Sequence, residues 1–138
     1  MSAKKILVVE DEVPVAMVVR ANLRNAGYQV VEAYTGLSGW QKVQEEKPDL
    51  VVLDVMMPEM NGWGVLKRIR EDESLRGTPV VMLTALNDDA DVAKGWELGA
   101  DMYLPKPFEP EALLAIINRL LSAKEEDDAA SRFSRPPT

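Results

Sequence analysis

Charged and hydroxyl side chains follow four apolar, strand-like runs of this sequence, each at the position where the run ends. They are Glu10 and Asp11 after the first run, Asp54 after the third, Thr84 after the fourth and Lys106 after the fifth. If the runs form parallel strands, all of these side chains emerge at one edge of one sheet. Three carboxylates, a hydroxyl and an ammonium are the groups needed to bind a phosphoryl group and a hard divalent cation.

Each of these residues, taken alone, has a simpler interpretation. Asp11 can cap a helix, Asp54 can begin a turn, and Lys106 can be a solvated residue before a proline. Their joint occurrence at four of the five strand ends favours a functional cluster. An ionised Asp54 after four apolar residues is costly unless solvent, hydrogen bonds or a cation receive it, and nearby Glu10 and Asp11 add repulsion. Mg²⁺ relieves this conflict, because it accepts one or two carboxylates, a carbonyl and several waters.

The alternation of apolar runs with helical spacing predicts the architecture that positions these residues. Predicted strands lie near residues 5–9, 28–33, 50–54, 79–84 and 102–104. A first helix ends near Gly27, others are predicted near residues 36–46, 62–72 and 88–98, and the last has an apolar stripe through residues 113–121. Apolar strands joined by crossover helices are typical of a parallel sheet covered on both faces. We therefore expect an α/β doubly wound domain.

The composition limits the classes of function. The chain has 138 residues, of which 46% are apolar and 28% charged, and a formal net charge of −7. This charge argues against direct binding to nucleic acid or to anionic membranes. No apolar run approaches the roughly 20 residues that span a bilayer, so we expect a cytoplasmic location. Because cysteine and histidine are absent, any chemistry must use carboxylates, hydroxyls and lysines.

A change in composition after Leu121 predicts where the domain ends. The segment that follows is dense in charge, and the last five residues, 134–138, include two prolines. We predict a folded domain over residues 1–121 and a charged, proline-containing flexible tail or linker remnant over residues 122–138, with the last helix extending a turn or so into it.

Four motifs together resemble the receiver domains of response regulators in two-component signal transduction, including those of chemotaxis regulators. They lie at residues 8–12, 53–62, 83–85 and 103–108, and the resemblance covers roughly residues 4–121. The resemblance implies a flavodoxin-like, five-stranded parallel sheet with strand order 2-1-3-4-5 and helices on both faces. It also implies a cis peptide bond between Lys106 and Pro107.

The resemblance further implies a role for each site residue. Asp54 would be the phosphoacceptor for a phosphohistidine on a sensor histidine kinase or phosphotransfer protein. Mg²⁺, with Mn²⁺ as an alternative, would be held by Glu10, Asp11, Asp54 and the backbone carbonyl of Met56. The phosphoryl group would be bound by Thr84 and Lys106. Such a chain is a regulatory phosphoacceptor rather than an enzyme, limited to Mg-dependent self-phosphorylation and slow autodephosphorylation.

Signal output is expected to use Thr84 and Tyr103 as a switch. Phosphorylation adds negative charge and acceptor oxygens that draw Thr84 inward. Tyr103 would then turn, altering the face formed by the fourth helix, fifth strand and fifth helix for a downstream protein or fused output domain, neither of which the sequence identifies. Met56 and Leu86 are apolar where many receivers carry polar side chains that orient a hydrolytic water, which predicts slow autodephosphorylation.

Three other classes of protein remain as alternatives. An aspartate-nucleophile phosphatase would carry its Asp-x-Asp motif after the first strand, and position 56 is methionine rather than a second acid. A flavin or mononucleotide binder would need a phosphate-binding loop where Glu10, Asp11 and Glu12 stand. An inert receiver that only mediates assembly is the third. The three tryptophans, Trp40, Trp63 and Trp96, are expected to be packing residues, with a partner contact as the alternative for Trp96.

Overall fold

Five parallel strands form a single sheet at the centre of the molecule. The structure, a computed structural model, describes residues 3–57, 59–85, 93 and 96–133. The strands are β1 (Lys5–Val9), β2 (Gln29–Ala33), β3 (Leu50–Asp54), β4 (Val80–Thr84) and β5 (Met102–Pro105). Their order is β2-β1-β3-β4-β5, with every neighbouring pair parallel. Both the predicted strand order and the doubly wound α/β class are confirmed.

The helices begin and end at residues suited to those positions. They are α1 (Val13–Asn25), α2 (Gly36–Glu46), α3 (Gly62–Glu71) and the C-terminal helix α4 (Pro110–Phe133). The Thr35 hydroxyl accepts a hydrogen bond from the Ser38 N–H at the start of α2, and the Asn61 side chain accepts one from the Gly64 N–H at the start of α3. Gly27, after α1, has a φ of 97°, a left-handed conformation that disfavours a side chain.

The helix predicted at residues 88–98 falls mainly outside the described residues. The described parts, residue 93 and residues 96–98, are helical, and Gly99 follows with a φ of 95°. The Gly99 N–H donates to the Trp96 carbonyl at 3.1 Å. The predicted helical end and its glycine are therefore confirmed.

Two apolar clusters fill the space between the sheet and the helices. Leu7 and Val9 of β1 face a cluster that includes α2 and α3, whereas Ile6 and Val8 face one that includes α1 and α4. All five residues of β3 and of β4 are buried. This burial on both faces explains why the strands are near-continuous apolar runs rather than alternating ones.

The C-terminal helix extends further than the sequence pattern suggested. It reaches Phe133, well past the single turn expected after Leu121. Lys124 and Asp128 pair one turn apart at 3.9 Å, and Glu125 pairs with Lys4 at 3.4 Å. The division into a domain over residues 1–121 and a linker over 122–138 remains a prediction. Among the described residues, no helix combines the length and apolar character needed to cross a membrane.

Candidate functional site

The carboxyl edge of the sheet collects the predicted site residues because the strands are parallel and in register. Val9 pairs with Leu53, and Thr84 pairs with Pro105, so the residues that follow these strands emerge side by side. The Lys106 N–H donates to the Thr84 carbonyl at 2.8 Å, which fixes the lysine backbone beside β4. The structure thus brings together Glu10, Asp54, Thr84 and Lys106, as expected from the sequence.

Four carboxylates line this edge rather than three. Glu10, Asp11, Glu12 and Asp54 each place one oxygen within 4.8 Å of the others. Glu10 and Asp54 are buried, whereas Asp11 and Glu12 are exposed. Glu12 was not among the predicted site residues. Its place beside Asp11 was the only signal in the sequence, and adjacency alone does not show where a side chain points.

A single lysine, Lys106, forms ion pairs with three of these acids. Lys106 Nζ lies 2.6 Å from Glu10 Oε1, 3.2 Å from Glu12 Oε1 and 3.4 Å from Asp54 Oδ2. The lysine side chain is 13% exposed, so water screens these contacts only in part. The shortest contact of Lys106 is therefore with Glu10, and its contact with Asp54 is longer. A single ammonium cannot neutralise this number of carboxylates.

The excess of negative charge changes the protonation of Asp54. Burial, together with the hydrogen bond and charge of Glu10, raises the pKa of Asp54 from 3.8 to about 8, although Lys106 opposes the change. Burial alone would lower the pKa of Lys106, but Glu10, Asp54 and Glu12 together raise it above its usual value. Lys106 therefore stays protonated at neutral pH, and Asp54 is the acid whose ionisation its neighbours oppose.

The buried Glu10 carboxylate is incompletely satisfied. Its Oε2 accepts a hydrogen bond from the Glu12 N–H at 3.2 Å. Its Oε1 touches Lys106 Nζ but accepts no hydrogen bond of normal geometry from the described residues. Buried polar atoms usually have hydrogen-bond partners. This oxygen has the ion pair with Lys106, and Glu10 also belongs to the group of acids that could hold a cation. The donor set contains only oxygens, which suits Mg²⁺ or Mn²⁺ rather than a soft transition metal.

A glycine allows the loop behind Asp54 to close. A Cβ atom on Gly62 would lie 2.3 Å from the Asp54 carbonyl oxygen and 2.9 Å from the Val55 Cα, both backbone atoms that cannot move freely. The Gly62 N–H also donates to the Val55 carbonyl at 2.8 Å. α3 therefore begins directly against the end of β3 and supports the backbone of Asp54.

The other predicted site residues take distinct places. Thr84 is buried at the end of β4, while Met56, two residues after Asp54, is 64% exposed. Leu86 lies outside the described residues. The Lys106–Pro107 bond is cis, as the resemblance implied. The metal-binding role of the Met56 carbonyl and the phosphoryl-binding roles of Thr84 and Lys106 remain predictions.

Tyr103 sits half-buried between two tryptophan rings. Its ring centroid lies 6.0 Å from that of Trp63 and 5.5 Å from that of Trp96, the latter in an edge-on arrangement. Trp63 is buried and Trp40 packs partly against the core, as predicted. Trp96 is 50% exposed, so the prediction that it is a core residue is wrong. Its ring contacts Tyr103 edge-on instead.

Comparison with protein families gives one assignment for most of the chain. A family model described as "Response regulator receiver domain" matches residues 6–118. A solved structure of a receiver domain protein described as CheY-like, from Methanospirillum hungatei JF-1, superposes with a TM-score of 0.86 at 28% identity. That match covers 91% of this chain and 99% of the other.

Two curated relatives are longer than this chain. It is 47% identical over 122 residues to a probable transcriptional regulator ycf27 of Cyanophora paradoxa, covering 88% of this chain and 50% of the relative. It is 38% identical over 130 residues to RpaA of Synechocystis, named a DNA-binding dual master transcriptional regulator, covering 94% and 54%. The chain thus spans about half the length of these relatives. The prediction that it contacts no nucleic acid finds no support in them, because one is named as DNA-binding.

Proposed function

Because this chain belongs to the receiver domains of two-component response regulators, we propose that Asp54 is its phosphoacceptor and that the acidic cluster is its metal site. The observation that carries the proposal is the environment of Asp54. This carboxylate is buried at the end of β3, touches Lys106 and faces three further acids within 4.8 Å. An arrangement that makes a carboxylate so hard to ionise has no benefit for folding alone.

The proposed reaction is a displacement at phosphorus. An Asp54 carboxylate oxygen attacks the phosphorus of a phosphohistidine, the P–N bond breaks, and the leaving imidazole nitrogen keeps the bonding electron pair and takes up a proton. The product is an acyl phosphate on Asp54. Phosphoryl transfer requires mainly positioning and charge compensation, so the absence of histidine from the chain is no obstacle.

Charge compensation on this chain falls to Lys106 and Thr84. Lys106 Nζ already lies 3.4 Å from Asp54 Oδ2, so a small movement of its side chain would bring it to a phosphoryl oxygen. Thr84 ends the neighbouring strand and has a hydroxyl that can donate to another. Glu10, Asp11, Asp54 and the Met56 carbonyl would hold Mg²⁺, or Mn²⁺ in its place. When bound, this cation supplies positive charge that favours ionised Asp54 and neutralises the phosphoryl oxygens.

The decisive experiment uses phosphoramidate with Mg²⁺ and intact-mass detection. We expect the mass of the wild-type chain to increase by one phosphoryl group in the presence of Mg²⁺. No increase is expected when EDTA replaces Mg²⁺, or in Asp54→Asn. Asp49→Asn is the matched control, because Asp49 lies just before the same strand, where it accepts a hydrogen bond from the Lys5 N–H at 2.7 Å. Full modification of Asp54→Asn, or loss of modification in Asp49→Asn, would contradict the proposal.

Slow self-dephosphorylation forms a second part of the proposal. The exposed Met56 side chain offers no hydrogen-bond partner to an attacking water. We expect Met56→Asn and Leu86→Glu each to shorten the lifetime of the phosphorylated chain, measured by loss of the added mass after removal of the phosphodonor. Unchanged lifetimes in both variants would reject this explanation.

The proposed output uses Tyr103 and the surface around it. Rotation of Tyr103 toward Thr84 would remove its contact with the exposed Trp96 ring, and so change the face presented to a protein partner. The phosphodonor would be a sensor histidine kinase or a phosphotransfer protein. We propose that this segment recognises proteins, because its net charge of −7 opposes approach to DNA.

A further inference from the structure

We propose that Glu12 is a positioning residue that holds Lys106 at the rim of the acidic cluster and thereby weakens the binding of a phosphoryl group at Asp54. The inference rests on the proposed function, and it adds a residue that neither the sequence motifs nor the family match assign. Three observations carry it: the arrangement of acids around the lysine, the conformation of Glu12 at the start of α1, and the fixed backbone of Lys106.

The acids around Lys106 differ in accessibility. Glu10 and Asp54 contact the ammonium from inside the protein, with side chains 0% and 4% exposed. Glu12 contacts it from the solvent side, with a side chain 60% exposed. When Glu10, Asp11 and Asp54 hold a cation as proposed, their charge is compensated by the metal. Glu12 is then the carboxylate left to compete with a phosphoryl oxygen for the lysine.

Glu12 takes the N-cap position of α1 but does not use its side chain there. Its carboxylate accepts no hydrogen bond from the first turn of the helix, where a capping residue would normally accept one. Its backbone N–H instead donates to Glu10 Oε2 at 3.2 Å, which ties it to the buried acid. The side chain reaches across to Lys106 Nζ at 3.2 Å, joining residues 94 apart in sequence.

The lysine can respond to Glu12 only through its side chain. Its N–H is held by the Thr84 carbonyl at 2.8 Å, so the backbone of Lys106 stays beside β4. The ammonium of Lys106 can therefore reach only the acceptors that surround this one anchored side chain. Removing the Glu12 carboxylate leaves the ammonium available to a phosphoryl group on Asp54.

The test is the affinity for beryllofluoride, which mimics a phosphoryl group, measured by isothermal titration calorimetry at saturating Mg²⁺. We expect Glu12→Gln to bind about two- to five-fold more tightly than the wild type, the range expected for an exposed ion pair. Glu12→Asp keeps the charge but is too short to reach Lys106, so it should bind like Glu12→Gln. Glu59→Gln, which removes an exposed charge from the loop after β3, should bind like the wild type.

The results for the wild type and the variants distinguish failure of this inference from failure of the proposed function. A wild-type chain that does not bind beryllofluoride overturns the proposed function and this inference with it. Wild-type binding with an unchanged Glu12→Gln overturns the inference alone. An increase that also appears in Glu59→Gln, or that is absent from Glu12→Asp, means that general charge rather than the contact with Lys106 is responsible, which also overturns it. Urea unfolding of each variant checks that differences in folding do not produce the result.

Discussion

At the amino edge of the sheet Arg70 donates to several acceptors, whereas at the carboxyl edge Lys106 is shared by three carboxylates. The Arg70 guanidinium donates to the carbonyls of Gly99, Arg76 and Thr78 and to Asp101 Oδ2, at 2.6 to 3.0 Å. Asp101 Oδ2 in turn accepts from the Val80 N–H at 2.7 Å. The amino edge thus matches donors to acceptors, while the carboxyl edge leaves negative charge uncompensated.

The difference separates an edge whose polar groups are matched from one that fits the proposed binding role. A matched network rigidifies the loops that precede β4 and β5. Its donors are already used within the protein and are not available to a ligand. The acidic cluster has a buried oxygen without a normal hydrogen bond and an aspartate whose pKa is raised to about 8. Such a site costs folding free energy, which the proposed cation would offset on binding. Three substitutions test this contrast, in order of expected effect.

The largest effect is expected from Arg70→Met. It removes four hydrogen bonds and leaves Asp101 without its cation, so the free energy of unfolding should fall by about 2–4 kcal/mol. Urea unfolding measures this loss, and Lys67→Met, at an exposed position of α3, is the control with little expected change. Phosphorylation of the folded variant by phosphoramidate should persist. A loss below about 0.5 kcal/mol would mean that the amino edge does not depend on this network.

In the absence of metal, Asp54→Asn is expected to raise the free energy of unfolding, the opposite of the effect expected for Arg70→Met. The folded state keeps a proton on Asp54 up to about pH 8, whereas the unfolded chain releases it near pH 3.8. Because the folded state binds more protons across this window, the wild-type free energy of unfolding should fall as the pH rises from about 4 to about 8. Asp54→Asn lacks this dependence, and after allowance for water entering the open cluster it should be more stable by about 2–3 kcal/mol at pH 8.

Urea unfolding at pH 5, 6, 7 and 8 in EDTA checks the prediction. Adding Mg²⁺ should stabilise the wild type at pH 8 and leave Asp54→Asn less affected, because the variant has lost one carboxylate ligand. If the free energies of unfolding of the two chains change in parallel with pH and do not diverge toward pH 8, the folded state does not raise the pKa of Asp54.

The smallest effect is expected from Lys5→Met. Lys5 Nζ pairs with Glu46 Oε1 at 3.1 Å, and both side chains are about one-third exposed. Its loss should change the free energy of unfolding by less than about 1 kcal/mol and leave the phosphoryl lifetime at the wild-type value. A change in lifetime would show that the two edges are coupled.

Sequence reasoning predicted the framework well because the framework depends on local patterns. The predicted strand at residues 50–54 is the observed β3, because a strand buried on both faces is a continuous apolar run that is visible in the sequence. That Asp54, Glu10 and Lys106 emerge at the same edge of the sheet followed from parallel strands alone. The order of the strands required the family resemblance, because spacing does not determine which strands are neighbours.

Two features escaped prediction for identifiable physical reasons. The composition after Leu121 indicated a linker, yet alanine, lysine and glutamate favour helix, and the pair of Lys124 with Asp128 supports its continuation. The contact of Glu12 with Lys106 depends on a side-chain direction across 94 residues of sequence, which no local pattern records.

The most direct measurement of the central claim is the ¹³C NMR titration of the Asp54 carboxyl carbon, with and without Mg²⁺. We expect a midpoint about pH 8 in the metal-free chain, because burial and Glu10 disfavour the ionised form. We also expect saturating Mg²⁺ to move the midpoint to lower pH. A metal-free midpoint near 3.8, or one that does not respond to Mg²⁺, would contradict the claim that this cluster is built to hold a cation beside Asp54.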